Sequence, residues 1–176
     1  EIHNWRVSFN VCYDGQSWLF MLAPCTGVYF DNNTIARYNG FGRAQNAGAR
    51  IDVRGGKPVG KASGAHFRNN LFIYSSSPYT GNRSGGALKT ANWYSKYKSP
   101  GIQYLGDISQ AGSGDPRLID LKNQDYRLKT DSPLRGKGIN LSEFYKSDFY
   151  GRPLPKTGNW DIGAIQYNAA KPSKAL

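Results

Sequence analysis

The feature that most constrains this chain is a short pattern that recurs at unequal spacing. Trp5-Arg-Val-Ser-Phe-Asn10, Gly27-Val-Tyr-Phe-Asp-Asn-Asn33 and Gly64-Ala-His-Phe-Arg-Asn-Asn70 each place apolar residues at alternate positions, then asparagine, then a second apolar run. The followers are Val11-Cys-Tyr13, Thr34-Ile-Ala-Arg37 and Leu71-Phe-Ile-Tyr74, and Gly101–Gly106 reads as a fourth copy without the asparagines. Between copies lies a third strand-like segment: Trp18–Leu22, then Ala49–Arg54, then Gly86–Thr90. A three-strand unit of this size cannot bury its apolar face alone. Stacking on a neighbour at strand spacing, ~4.8 Å, buries that face and turns equivalent strands into parallel ladders. Asparagines at matching turns would then hydrogen-bond along the stack. Val7, Phe9, Val28, Phe30 and Phe67 are the residues expected inward. An antiparallel sandwich with unrelated turn asparagines is the competing arrangement, and it predicts antiparallel pairing of the same segments.

Composition agrees with many short strands and turns. The chain has 176 residues with 21 glycines and 14% Phe, Trp and Tyr, and is thin in the usual helix formers. This points to an all-β domain. The sequence opens directly on a strand-like segment, Glu1–Asn10, with nothing before it to cover a sheet edge. It is therefore expected to be the C-terminal part of a longer stack, with a preceding N-terminal segment or chain docked on the first unit. Cys12 and Cys25 are the only cysteines, and whether they are bridged stays open. No apolar run is long enough for a membrane span.

The last third carries an ordered series: Asp115-Pro-Arg-Leu-Ile-Asp120, Asp125-Tyr-Arg-Leu128, Asp131-Ser-Pro133, Gly136-Lys-Gly138, Asp148-Phe-Tyr-Gly-Arg-Pro153 and Trp160-Asp-Ile-Gly-Ala-Ile-Gln166. This series resembles the closing segment of proteins of the pectate-lyase-like superfamily. The resemblance implies a right-handed parallel β-helix (a solenoid) of about three to four rungs over residues 1–110, a C-terminal cap over 111–168 and a tail over 169–176. It also implies a secreted, periplasmic or cell-surface location. In the closing segment Tyr126, Leu128 and Ile162 are expected to plug a core, and Arg152 to be held by Asp148 or Asp161. The segment reads as structural.

Charge narrows the partner. Twenty-three Lys and Arg against twelve Asp and Glu leave +11, spread from Arg6 to Lys174. Such a surface attracts polyanions. The pattern of turns resembles no nucleic-acid-binding module, and flat aromatic rings suit sugar faces, so an anionic polysaccharide is the expected partner.

The resemblance implies that glycan lies along the ladder of Trp18–Leu22, Ala49–Arg54 and Gly86–Thr90. Period-two alternation with Ile51 and Val53 inward puts Arg50, Asp52 and Arg54 outward. Lys89 should then stand near the column of Asp52. Lys57 and Lys61 follow on one loop; Trp93, Tyr94, Lys96 and Lys98 on the next. Arg50, Asp52, Arg54, Lys57, Lys89, Trp93 and Tyr94 are thus the expected substrate-binding set. A solvated charged strand is the plainer account of the same residues.

A polysaccharide lyase eliminates across a uronate. A cation neutralises the carboxylate, which makes the neighbouring carbon-bound proton removable by a base. Arg50 and Lys89 are the candidate catalytic residues. A glycoside hydrolase needs two flanking carboxyl groups, and Asp14, Asp31 and Asp52 offer no convincing pair. No metal-ligand set occurs near His3 or His66, which read as surface residues. No cofactor is evident, and calcium would belong to a longer parent protein, since Asp52 alone is too little to hold it. The leading expectation is part of a secreted lyase acting on an acidic, uronate-containing or sulfated polysaccharide. The alternatives are a glycoside hydrolase on the same fold and a non-catalytic glycan-binding or adhesive module.

Overall fold

The structure is a computed structural model and describes residues 2–13, 18–22, 25–36, 50–53, 66–73, 79–80, 88–90, 92–95 and 110–169. Among the described residues the strands are short and gather into five sheets. One sheet has four parallel strands: β2 (Arg6–Ser8), β6 (Tyr29–Asp31), β9 (His66–Arg68) and β12 (Leu88–Thr90). A second has five: β3 (Val11–Tyr13), β7 (Thr34–Ala36), β10 (Leu71–Ile73), β13 (Asn92–Ser95) and β14 (Gln110–Ser113), again all parallel. A third joins β4 (Trp18–Leu22), β8 (Arg50–Val53) and β11 (Tyr79–Thr80) in parallel. A parallel pair, β1 (Ile2–His3) with β5 (Cys25–Thr26), and an antiparallel pair, β15 (Leu118–Asp120) with β16 (Asp125–Leu128), complete the set. Parallel pairing of β2, β6 and β9 removes the antiparallel sandwich.

The closed solenoid expected from the sequence is corrected. The strands lie in separate sheets, and the described residues form no closed right-handed β-helix. What stands is an all-β chain of short, mainly parallel sheets. Two placements differ from the repeat as read. Leu88–Thr90, expected beside Ala49–Arg54, pairs instead with β9, with Lys89 opposite Phe67. The place beside β8 is taken by Tyr79–Thr80, which comes earlier in the chain and occupies that edge. The fourth copy at 101–106 lies outside the described residues.

Register follows burial. In β2, β6 and β9 the central residues Val7, Phe30 and Phe67 stand opposite one another and are buried. The Phe30 and Phe67 rings stack with centroids 5.0 Å apart. Flanking residues face the other side, as a period-two strand requires. β7 and β10 are buried along their whole length, which explains their unbroken Thr-Ile-Ala and Leu-Phe-Ile sequences. Leu71 and Ile73 pack with Leu118, Tyr126, Leu128, Leu134 and Ile162 of the closing segment.

Phe9 is not the inward residue that alternation suggested. It occupies the left-handed turn position (φ 54°) that Asn32 (φ 50°) and Asn69 (φ 56°) fill in the other two copies. Asparagine tolerates that conformation, whereas phenylalanine rarely adopts it. Here Phe9 packs edge-on to Tyr145, with ring centroids 5.5 Å apart, and against Trp160 at 6.1 Å. The true repeat aligns Val7 with Phe30 and Phe67, a shift of two residues.

The asparagine ladder is present. Asn10 Nδ2 donates to Asn33 Oδ1 at 3.1 Å, and Asn33 Nδ2 to Asn70 Oδ1 at 3.0 Å. Backbone N–H groups of Asn10 and Asn33 donate to the same oxygens, so the acceptors are doubly used. A second row, Asn32 and Asn69, turns outward and grips the closing segment. Asn32 Nδ2 donates to the carbonyls of Asp161 and Gly163, and Asn69 exchanges two bonds with the backbone of Ile139. Gly163 is required at its position: its φ is +100°, and a Cβ there would lie 2.9 Å from Thr34 Oγ1.

Candidate functional site

The outward face of β2, β6 and β9 carries charge and rings in two rows. Register sets Arg6, Tyr29 and His66 in one row, and Ser8, Asp31 and Arg68 in the other. Asp31 is fully buried and has four charged or polar contacts. Arg68 grips it bidentately, Nε to Oδ1 at 2.7 Å and Nη2 to Oδ2 at 2.6 Å. The Tyr145 hydroxyl donates to Oδ2 at 2.5 Å, and Arg6 Nη1 stands 3.7 Å from that oxygen. Burial together with the Asp31 hydrogen bond pushes the Tyr145 phenol up to about 12, so it stays protonated and donates.

Two guanidinium groups therefore face one carboxylate, leaving one positive charge in excess. Arg6 is the more exposed, its side chain 34% accessible against 14% for Arg68. Its guanidinium lies 4.2 Å from the Tyr29 ring centre and 4.3 Å from that of Phe144. These are cation–π distances. Tyr29 in turn stacks on His66, with centroids 4.5 Å apart and planes 11° apart. Burial and the neighbouring Arg68 charge hold the His66 imidazole below its ordinary pKa.

The expected site residues are not gathered in one ladder. Arg50 and Asp52 lie on β8, opposite Trp18 and Met21 of β4, in the three-stranded sheet. Lys89 belongs to the four-stranded sheet, and Trp93 and Tyr94 to β13 of the five-stranded sheet, opposite Leu71 and Phe72. The reading of Lys89 as a neighbour of the Asp52 column is thus corrected, because β11 intervenes in chain order and holds that edge. It follows that Arg50 and Lys89, the proposed catalytic pair, do not share a strand ladder. Trp93 and Tyr94 sit on a strand and not on a loop. Arg54 and Lys57 lie outside the described residues, as do Lys61, Lys96 and Lys98.

Sequence reasoning missed the Asp31–Arg68 pair, although a signal existed. Each stands two residues before the ladder asparagine of its copy, Asn33 or Asn70, so aligning copies on that asparagine superposes opposite charges. Tyr145 had no such signal, being 114 residues from Asp31. In the closing segment Arg152 bonds Asp148 through Nε at 2.9 Å and Nη2 at 2.5 Å, and also donates to the Gln166 carbonyl. Cys12 is a free, half-buried thiol whose pKa burial raises. Among the described residues, no three His, Cys, Asp or Glu side chains converge as metal ligands, and no helix is long and apolar enough to cross a membrane.

Fold and face together define an all-β chain of mainly parallel sheets bearing a cationic, ring-lined surface. Comparison with protein-family models, curated proteins and solved structures finds no match to this chain.

Proposed function

We propose that this chain is part of a secreted carbohydrate-active protein that engages an acidic polysaccharide and cleaves it by β-elimination. The observation that carries the reading is the cradle of Arg6, a partly exposed guanidinium between the Tyr29 and Phe144 rings on a face with excess positive charge. An exposed guanidinium beside the exposed Phe144 ring suits a uronate, which offers a carboxylate and an apolar sugar face together. The net charge of +11 favours encounter with a polyanion. The likeness of the closing motifs to pectate-lyase-like proteins is a second support.

On this reading Arg6 neutralises the uronate carboxylate. His66, kept neutral by burial and by Arg68, is the base on the same face that takes the proton from the carbon bearing the carboxylate. A C=C bond forms as the glycosidic C–O bond at the next carbon breaks, and the departing oxygen takes a proton from water. A two-carboxylate hydrolysis is less well supported: Asp31 is fully buried and both its oxygens are already bonded.

The test incubates the protein with polygalacturonate, alginate and chondroitin sulfate, measuring retention on each glycan and the ultraviolet absorbance of unsaturated product. Retention that weakens with salt and with Arg6→Ala, together with product that vanishes in His66→Gln, supports the proposal. Retention without product reduces it to a binding module. No retention on any acidic glycan overturns it.

A further inference from the structure

Away from the Arg6 face, two clefts share the Arg127–Asp125 ion pair of the closing segment as a border, and they have no residue in common with the Arg6–Asp31 group. The first, about 290 Å³, is walled by Tyr13, Tyr126, Phe149 and Tyr150, with the amides of Asn123 and Gln124 beside them. The second, about 230 Å³, lies against Leu128, Gln166 and Tyr167. Arg127 lines both. β16 alternates, so Tyr126 and Leu128 turn into the core while Asp125 and Arg127 turn to the surface between the clefts.

Charge here is balanced, unlike on the Arg6 face. Arg127 engages both oxygens of Asp125, Nε donating to Oδ1 at 2.7 Å and Nη2 to Oδ2. Arg152, on the wall of the second cleft, is bound to Asp148. The two arginines that line the clefts, Arg127 and Arg152, therefore each have their own carboxylate and offer an anionic ligand little. Tyrosine rings and planar amide or guanidinium groups present a different chemistry: flat apolar faces with fixed donors and acceptors at their edges. That combination fits a pyranose ring, apolar on its faces and hydroxylated around its rim. Each cleft is below the roughly 300 Å³ at which pockets for drug-sized ligands begin, so each suits one ring. A shared wall suits two rings that are linked.

The geometry points to a binding site for a neutral oligosaccharide, with adjacent sugar rings in the two clefts on either side of Arg127. It extends the proposed function without depending on it, since the surface, the ligand charge and the residues all differ. A neutral-glycan site on the closing segment would hold the protein to a mixed polysaccharide while the cationic face engages the acidic chains.

The test titrates the protein with hexasaccharides of xylan, mannan, glucan and galactan by calorimetry, at low and high salt, alongside Tyr13→Ala, Tyr13→Trp and Arg6→Ala. Tyr13 is half exposed and makes its ring contact with Tyr126 at 6.3 Å, so its replacement leaves the core in place. The expected result is binding of at least one hexasaccharide that salt does not alter. Tyr13→Ala should weaken it roughly three- to tenfold, Tyr13→Trp should restore it, and Arg6→Ala should leave it unchanged. Failure of all four glycans to bind overturns the inference. So does loss in Arg6→Ala with none in Tyr13→Ala, or loss with salt. Retention on acidic glycans bears only on the Arg6 face, so the two proposals fail separately.

Discussion

Replacing Tyr145 with phenylalanine removes one oxygen and tests the contact that ties the closing segment to β6. The hydroxyl donates to the buried carboxylate of Asp31 at 2.5 Å, a charge-assisted bond. Hydrogen bonds to charged partners contribute about 1.5–3 kcal/mol. Arg68 keeps its two bonds to Asp31 in the variant, and Arg6 stays within 3.7 Å, so the carboxylate remains compensated. The lower half of that range applies, about 2 kcal/mol. The phenylalanine ring also retains the edge contact with Phe9, so no cavity term is added. For a chain of this size, 2 kcal/mol lowers the Tm by roughly 4–8 °C. Urea melts of wild type and Tyr145→Phe measure the difference, with Tyr150→Phe as a control expected within about 0.5 kcal/mol. Amide exchange should quicken at residues 139–145 before it quickens in β6 and β9, because the closing segment is the part released. A Tyr145→Phe loss under about 0.5 kcal/mol would refute the reasoning. The arginines alone would then satisfy Asp31, and the hydroxyl would be incidental.

Three further outcomes follow from the same geometry. Asn33→Ala removes a carboxamide that donates to the Val7 carbonyl and to Asn70 and accepts twice from Asn10; it should cost about 3 kcal/mol in a urea melt, against about 1 kcal/mol for Asn10→Ala at the exposed end. Gly163→Ala should destabilise by about 2 kcal/mol or more, since φ is +100° and the added methyl meets Thr34, whereas Gly136→Ala, with open space at its Cβ, should lose about 1 kcal/mol. His66, whose folded pKa is depressed, binds fewer protons folded than unfolded just below its ordinary 6.5. Its contribution is complete above that pH and is lost as pH falls through the unfolded value, so the stability of His66→Gln should fall less steeply on acidification than that of wild type.

Much of the local pattern could be read from residues alone. Alternation in Tyr29-Phe-Asp31 and His66-Phe-Arg68 marks buried centres with polar flanks, and the unbroken apolar Leu71-Phe-Ile73 marks a strand covered on both sides. The asparagine ladder was legible because amide side chains can satisfy one another only when stacked in register. The register of the first copy was not legible. Phe9 imitates the inward apolar residue of the pattern, yet it holds a turn position that asparagine fills elsewhere. Its packing on Tyr145 and Trp160 comes from residues far along the chain, which no local period encodes. The Arg6 face was half legible: outward positions of equivalent strands predict that Tyr29 meets His66, and nothing local predicts the cover supplied by Phe144 and Tyr145.

What the sequence by itself determined is therefore the short-range layer: strand, turn, inward and outward faces, and a surplus of positive charge. These depend on backbone conformation and on period-two burial, both set within a few residues. Tertiary structure alone decided which strands became neighbours. Leu88–Thr90 pairs with β9 while Tyr79–Thr80 holds the edge of β8, which puts Lys89 in a different sheet from Arg50 and Asp52. It also decided that Asp31 would be a buried anchor for Arg68 and Tyr145 instead of an exposed acid. A carboxylate's role is fixed by the charges and donors brought to it from across the fold, and those arrive only when the chain has closed on itself.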